Sequence, residues 1–268
     1  MSNVTIIDAG KKFGNMNTNK KFYKEGMTKE EIQEDFRKRR IEMGKYYGFN
    51  GLLMYMADQK NKNGSYFEIT DEYVRENPNG WTDIDEDILI INKNLPGVCI
   101  GHPVADCPVI IMSDLKNNVT AIGHCSAELV DMKMPIMIAD ALQDAYKSRD
   151  EDIVAYVSSC AGPNWSYDSY PKWALDKKLW EDAITLGKDK KFYINLRNAI
   201  IKEFKERNIK NVRFSPIDTI NNPNYYSNSA SSIYGLNDQS KAGRNFVGAF
   251  YKENNESAKA KTLGKLFR

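Results

Sequence analysis

The sequence predicts a mixed α/β (α+β) fold, and three observations carry that prediction. A capped helical pattern stands near the N-terminus, short β-branched runs fill the middle, and helical patterns recur among strand patterns after residue 135.

Thr28-Lys-Glu-Glu31 has capping-box form: the Thr28 hydroxyl is placed to accept from the Glu31 amide while Glu31 reaches back. Ile32, Phe36, Met43 and Tyr47 follow at helical spacing and Gly48 supplies a stop, so 28–48 is read as a helix. The runs Ile88–Ile91, Val98–Ile100, Val109–Met112 and Val119–Ile122 are rich in β-branched residues and bounded by Asn, Pro, Gly and Lys, and read as strands. Pro135 suits a first helical turn and opens a helix over 135–147. Ile153–Val157 reads as a strand, and 172–186 and 195–207 as helices, with Leu196, Ile200 and Phe204 lining one face of the second. Val212–Ile217 and Phe246–Tyr251 read as late strands, and the Asn- and Ser-rich stretch 218–243 as a long loop. Without repeats, low-complexity tracts or an obvious linker, one domain over 1–268 is the expectation.

Composition narrows the function classes. Of 268 residues, 41% are hydrophobic and 28% charged, the balance of a globular chain with a sizeable core. The net charge of +2 comes from scattered basic residues, so no nucleic-acid face is expected. No apolar run is long enough to span a bilayer, and the first residues lack a signal-peptide core, so a cytoplasmic protein with no membrane partner is expected. Cys99, Cys107, Cys125 and Cys160 form no CxxC pair and no disulfide spacing, and read as reduced thiols.

The chemistry-bearing segment runs from Ala105 to His124. Two apolar runs flank Leu115-Lys-Asn-Asn118, which reads as the turn of an antiparallel hairpin. Centring that turn between Lys116 and Asn117 sets His124 opposite Val109, and Cys107, two residues earlier, shares the same face as a diagonal neighbour. A neighbouring thiol and imidazole suit a zinc site, which needs a third protein ligand, or a nucleophilic thiolate. The bland alternative is a small buried hydrophobe beside a polar strand end. Asp106 would face the other side of a regular strand, so it joins the site only if the strand starts irregularly. His102 and Cys125 are spare ligands, Cys160 sits before a Gly-Pro turn, and Gly243-Arg244 offers an anion contact. Trp165, Tyr167, Tyr170 and Trp173 suit either core packing or stacking on a purine ring.

At these residues the sequence resembles the laccase-domain, or polyphenol-oxidase-like, family. Ala105-Asp106-Cys107 with His124 after the next strand matches the family hallmark, and the resemblance runs almost end to end. Arg37-Lys-Arg-Arg-Ile-Glu-Met-Gly-Lys-Tyr-Tyr-Gly48, Ser159-Cys160-Ala161-Gly162-Pro163, Tyr193-Ile-Asn-Leu-Arg197 and Gly243-Arg244 resemble further family segments in order. The resemblance implies a layered α/β/β/α sandwich with mixed sheets. It also implies an enzyme that splits purine nucleosides with phosphate or deaminates adenosine. Zinc would sit on Cys107 and His124, Asp106 would move protons, and Cys160 and Arg244 would bind substrate.

The chain departs from the family pattern at three places. Asn61 or Asn63 stands where the first metal-binding histidine belongs, in Gln59-Lys-Asn-Lys-Asn-Gly64. Glu128 replaces an arginine in His124-Cys-Ser-Ala-Glu-Leu129, and a later Tyr-Arg-Arg motif survives only as Tyr225-Tyr226-Ser227-Asn228. A weak or partial zinc site is therefore expected, and no copper, because a multicopper centre needs many histidines and this chain has two. A metal-free Cys–His hydrolase editing peptidoglycan precursors and a catalytically silent binding relative are the alternatives.

Overall fold

The computed structural model describes residues 4–23, 25–80, 84–233 and 242–252. In chain order the first half comprises β1 (Val4–Ala9), α1 (Lys29–Tyr47), β2 (Met54–Met56), β3 (Tyr66–Glu68), α2 (Asp71–Glu76), β4 (Ile88–Asn92), β5 (Cys99–Val104), β6 (Val109–Asp114) and β7 (Val119–His124). After it come α3 (Ala127–Asp131), α4 (Met134–Tyr146), β8 (Ile153–Val157), β9 (Ser166–Tyr167), α5 (Lys177–Trp180), β10 (Ile184–Leu186) and β11 (Phe192–Ile194). The chain continues through α6 (Leu196–Arg207), β12 (Asn211–Phe214), α7 (Asn228–Ile233) and β13 (Asn245–Tyr251).

Two sheets form the centre. One has the order β1-β13-β5-β2 and the other β12-β8-β6-β7-β4-β3, each mixing parallel and antiparallel pairs. Strand alternation writes the layering directly. On β6, Val109 and Ile111 pack with Ile100, Val247 and Ala249 of the other sheet, while Ile110 and Met112 pack with Ile138 and Leu142 of α4. On β13, Val247 and Ala249 face the inter-sheet core, and Phe246 and Phe250 pack with Phe36 and Met43 of α1. The result is the expected α/β/β/α sandwich, with apolar strands because both sheets are covered.

The predicted capping box of α1 is present: Thr28 Oγ1 accepts from Glu31 N at 3.2 Å and Glu31 Oε2 accepts from Thr28 N at 2.8 Å. Thr28→Ala is expected to cost about 1 kcal/mol, read as a lower denaturant midpoint with an unchanged slope.

Three expectations are corrected. The helix over 172–186 shrinks to α5, because the Asp131 carboxylate takes the Leu175 and Asp176 amides and the Trp180 indole. Asp176 then caps α5, and Ile184–Leu186 turns into a hairpin with β11 across Gly187 to Lys191. The stretch 218–243 is not all loop, since it contains α7; its residues 234–241 lie outside the described residues. The strand expected over Val212–Ile217 stops at Phe214, before Pro216. A further strand, β1, is formed by the β-branched run Val4-Thr-Ile-Ile7 and its two following residues, and pairs with β13, Ile6 opposite Ala249.

Candidate active site

The β6–β7 register is the one expected from the turn, with Val109 opposite His124. Cys107 does not belong to β6, however. It lies between β5 and β6, where the chain crosses from one sheet to the other. The strand starts irregularly because Asp106 takes φ +73°, a left-handed conformation costly for a residue with a side chain. Its surroundings hold it there. Asp106 Oδ1 accepts from Thr219 Oγ1 at 2.7 Å, Oδ2 from Ser229 N at 2.6 Å, and its carbonyl from Ala161 N at 2.7 Å. Cys125 N donates to Pro108 O at 2.8 Å, carrying the hairpin one step past the last strand pair and holding Cys107 beside the end of β7. Both carboxylate oxygens of Asp106 are thus engaged, and they hold the Cys107 turn in place.

Gln59 orients His124, a role that sequence spacing did not reveal. The Gln59 Nε2 donates to the carbonyls of His124, at 3.1 Å, and Asp87, at 3.3 Å, and its Oε1 lies 2.5 Å from His124 Nδ1. Carbonyls only accept, so the amide NH₂ must face them and Oε1 must face the ring. Nδ1 therefore carries the proton, and Nε2 keeps its lone pair. Asp87, fully buried, accepts from the amides of Lys62, Asn63 and Gly64 at 2.7–2.9 Å and pins this loop.

Electrostatics keep the pair neutral. Burial pushes the Cys107 thiol up to about 12, Asp106 adds to the effect, and Arg244 opposes it. Burial, then the Arg244 charge, lowers His124 to about 4. His102 on β5 faces it, ring centroids 6.2 Å apart, and burial followed by His124 lowers it to about 3. The Arg244 guanidinium is half-buried, lies over the Phe22 ring at 4.7 Å, and donates to the Gly243 carbonyl. It has no carboxylate partner at ion-pair distance among the described residues. Cys160 is fully buried beside Arg197, and its carbonyl accepts from Thr219 N at 3.0 Å. Tyr167, within electrostatic reach of Cys107, belongs to an aromatic wall with Trp165 and Trp173 at 5.3 and 6.3 Å.

The donors do not fit a zinc ion. Asn61 and Asn63, where a third ligand would stand, are exposed and turn back on their own loop. Asn61 donates to Ser65 Oγ at 3.3 Å, and Asn63 Oδ1 accepts from Ser65 N at 3.0 Å. No group of three His, Cys, Asp or Glu residues suited to a metal occurs among the described residues. The Glu128 carboxylate, in place of an arginine, pairs loosely with Lys62 Nζ at 3.5 Å on the surface. Each missing ligand removes part of a binding energy built from three or four bonds. Purified protein is therefore expected to hold well under one zinc per chain by elemental analysis after chelator dialysis; a full, chelator-resistant equivalent would contradict this.

Among the described residues, no helix is long and apolar enough to cross a membrane. A family model described as multi-copper polyphenol oxidoreductase laccase matches residues 54–247. A search of curated proteins found no match. Among solved structures, the chain is similar to the Bacillus licheniformis hypothetical protein YfiH, with 16% identity, 93% of each chain covered and a TM-score of 0.71. It is also similar to YlmD from Geobacillus stearothermophilus, with 13% identity, 93% of this chain and 91% of that one covered, and a TM-score of 0.69. A Neisseria meningitidis protein, NMB0706, is similar at 12% identity and TM-score 0.68, covering 94% of this chain and 96% of that one. At these identities the likeness is one of fold.

Proposed function

The chain belongs to the laccase-domain, polyphenol oxidoreductase-like family, and from that premise we propose that it is an enzyme that splits purine nucleosides with phosphate at Cys107, His124 and Arg244. The substrate class rests on the family resemblance. The observation that carries phosphorolysis over deamination is Arg244, a half-buried cation that feels the Asp106 charge yet has no carboxylate at ion-pair distance among the described residues, beside Cys107 and His124. Hydrolytic deamination needs an activated water, and the residues here do not fit the zinc that would activate it.

In phosphorolysis a phosphate oxygen bonds to the ribose anomeric carbon as the bond to the purine nitrogen breaks, and the bonding pair leaves with the base. Arg244 would hold the phosphate through its planar fork of donors. His124 Nε2 would accept a hydrogen bond from the monoprotonated phosphate and orient it. The Cys107 thiol, which keeps its proton at neutral pH, would donate a hydrogen bond to the departing base as negative charge develops. The wall of Trp165, Tyr167 and Trp173 offers ring faces for stacking the base.

The same proton placement disfavours a thiolate hydrolase, because a thiol near 12 beside an imidazole near 4 does not transfer its proton. The deciding assay incubates inosine or adenosine with and without inorganic phosphate and follows the free base by chromatography. Free base formed only with phosphate is expected. Inosine from adenosine without phosphate would favour deamination, and no turnover at all would favour a silent relative.

A further inference from the structure

Helix α1 carries a second, chemically distinct feature on the far side of the four-stranded sheet. Glu30, Gln33, Glu34, Arg37 and Arg40 follow one another along the helix and, with Phe36, line a cavity of about 460 Å³ that Asn79 and Gly80 close from the other side. Arg40 is 5% exposed, yet it has no carboxylate at ion-pair distance among the described residues. One guanidinium nitrogen donates to the Asn79 carbonyl at 3.2 Å, the guanidinium lies 5.2 Å from the centre of the Phe36 ring, and its Nε is buried with no hydrogen-bond partner among the described residues. A buried cation left without an anion is costly, and such sites are ordinarily paired or hold a ligand. Arg37 adds a second positive charge at the wall, only loosely held by Glu34 at 3.8 Å.

The other wall groups narrow the anion. Glu30 and Glu34 are exposed at the rim, so a multiply charged phosphate meets repulsion on the way in, whereas one flat carboxylate fits the planar fork of Arg40. Phe36 supplies an apolar face, and the volume exceeds that of a bare inorganic ion. We propose that this cavity is a binding site for a small organic carboxylate, its head group on Arg40 and its apolar body against Phe36. The site is independent of Cys107 and His124, so nucleoside turnover is not its readout.

The test measures binding of benzoate and of inorganic phosphate to the full chain by calorimetry at matched ionic strength. Benzoate is expected to bind the wild type more tightly than phosphate. Arg40→Met should remove benzoate binding, and Arg40→Lys should weaken it at least tenfold because an ammonium lacks the two-pronged fork. Glu30→Gln should leave benzoate binding intact and strengthen phosphate. A second measurement does not depend on any variant folding: in wild-type crystals soaked with 4-bromobenzoate, the bromine anomalous peak should lie in this cavity with the carboxylate on Arg40. Benzoate binding unchanged in Arg40→Met would overturn the proposal and leave Arg40 as a brace for the 79–80 turn. Phosphate outcompeting benzoate, or an empty cavity in the soaked crystals, would overturn it equally.

Discussion

Arg244→Met is expected to lower kcat/KM for nucleoside phosphorolysis by ~10²–10³-fold, the usual cost of removing one preorganised charge from a reacting centre. The loss should be steepest when phosphate is varied, because the guanidinium would act on the phosphate and not on the base. Arg244 donates to the Gly243 carbonyl, and its own amide donates to Asn15 Oδ1 at 2.9 Å. The backbone anchor survives the substitution, so thermal stability should change little. His124→Ala should produce a comparable loss, and Gln59→Leu a smaller one, since it frees the ring orientation without removing the lone pair. The pH profile offers a separate check. An imidazole accepts a proton only above its pKa, and His124 sits near 4 because of burial and the Arg244 charge. With the concentration of monoprotonated phosphate held constant, so that the titration of phosphate itself does not contribute, activity should therefore stay flat from about pH 5 upward and fall only below about 4, instead of falling near the ordinary histidine value of about 6.5. In Arg244→Met the inflection should move up as one of the two lowering influences disappears. An inflection near 6.5 in the wild type would show that His124 is not the group responsible.

The second large effect concerns stability. Glu203 on α6 is fully buried, and neither carboxylate oxygen has a hydrogen-bond partner among the described residues. Burial raises its pKa from 4.5 to about 8, with Glu206, Asp176 and Asp131 adding to the rise and Lys133 opposing it. The Lys133 ammonium is drawn instead to Asp176 at 3.1 Å and Glu206 at 4.0 Å. A raised carboxyl pKa means the folded chain holds a proton that the unfolded chain releases. The stability present below about 4.5 is thus progressively lost as the pH rises towards 8, and is constant above it. Glu203→Gln removes the titration while keeping the shape. At pH 8 it is expected to be more stable than the wild type by about 3–5 kcal/mol, and at pH 4.5 to be nearly equal to it, since one pKa unit corresponds to ~1.4 kcal/mol. Denaturation midpoints at the two pH values check this. A difference that does not depend on pH would mean that Glu203 finds a partner in the folded chain.

What the sequence alone determined about this protein is local. The Thr28–Glu31 box, the Gly48 stop and the β-branched runs from Ile88 to Ile122 are signals in which neighbouring residues satisfy one another, so α1, β4, β6 and β7 were legible. The hairpin register was legible too, because turn geometry sets it, and with it the closeness of the Cys107 and His124 segments. What only the tertiary structure decided involves partners far apart in the chain. Asp131 broke the helix expected over 172–186 by taking the amides at 175 and 176, a claim no local pattern announces. Asp106 anchors the Cys107 turn because Thr219 and Ser229, more than a hundred residues away, hold its oxygens. Gln59 reached His124 across 65 residues, and its amide set the imidazole tautomer. Whether Arg40, Glu203 or Arg244 has a counter-ion could not be read from order in the chain, since a buried charge finds its partner, or lacks one, only after distant elements have packed around it.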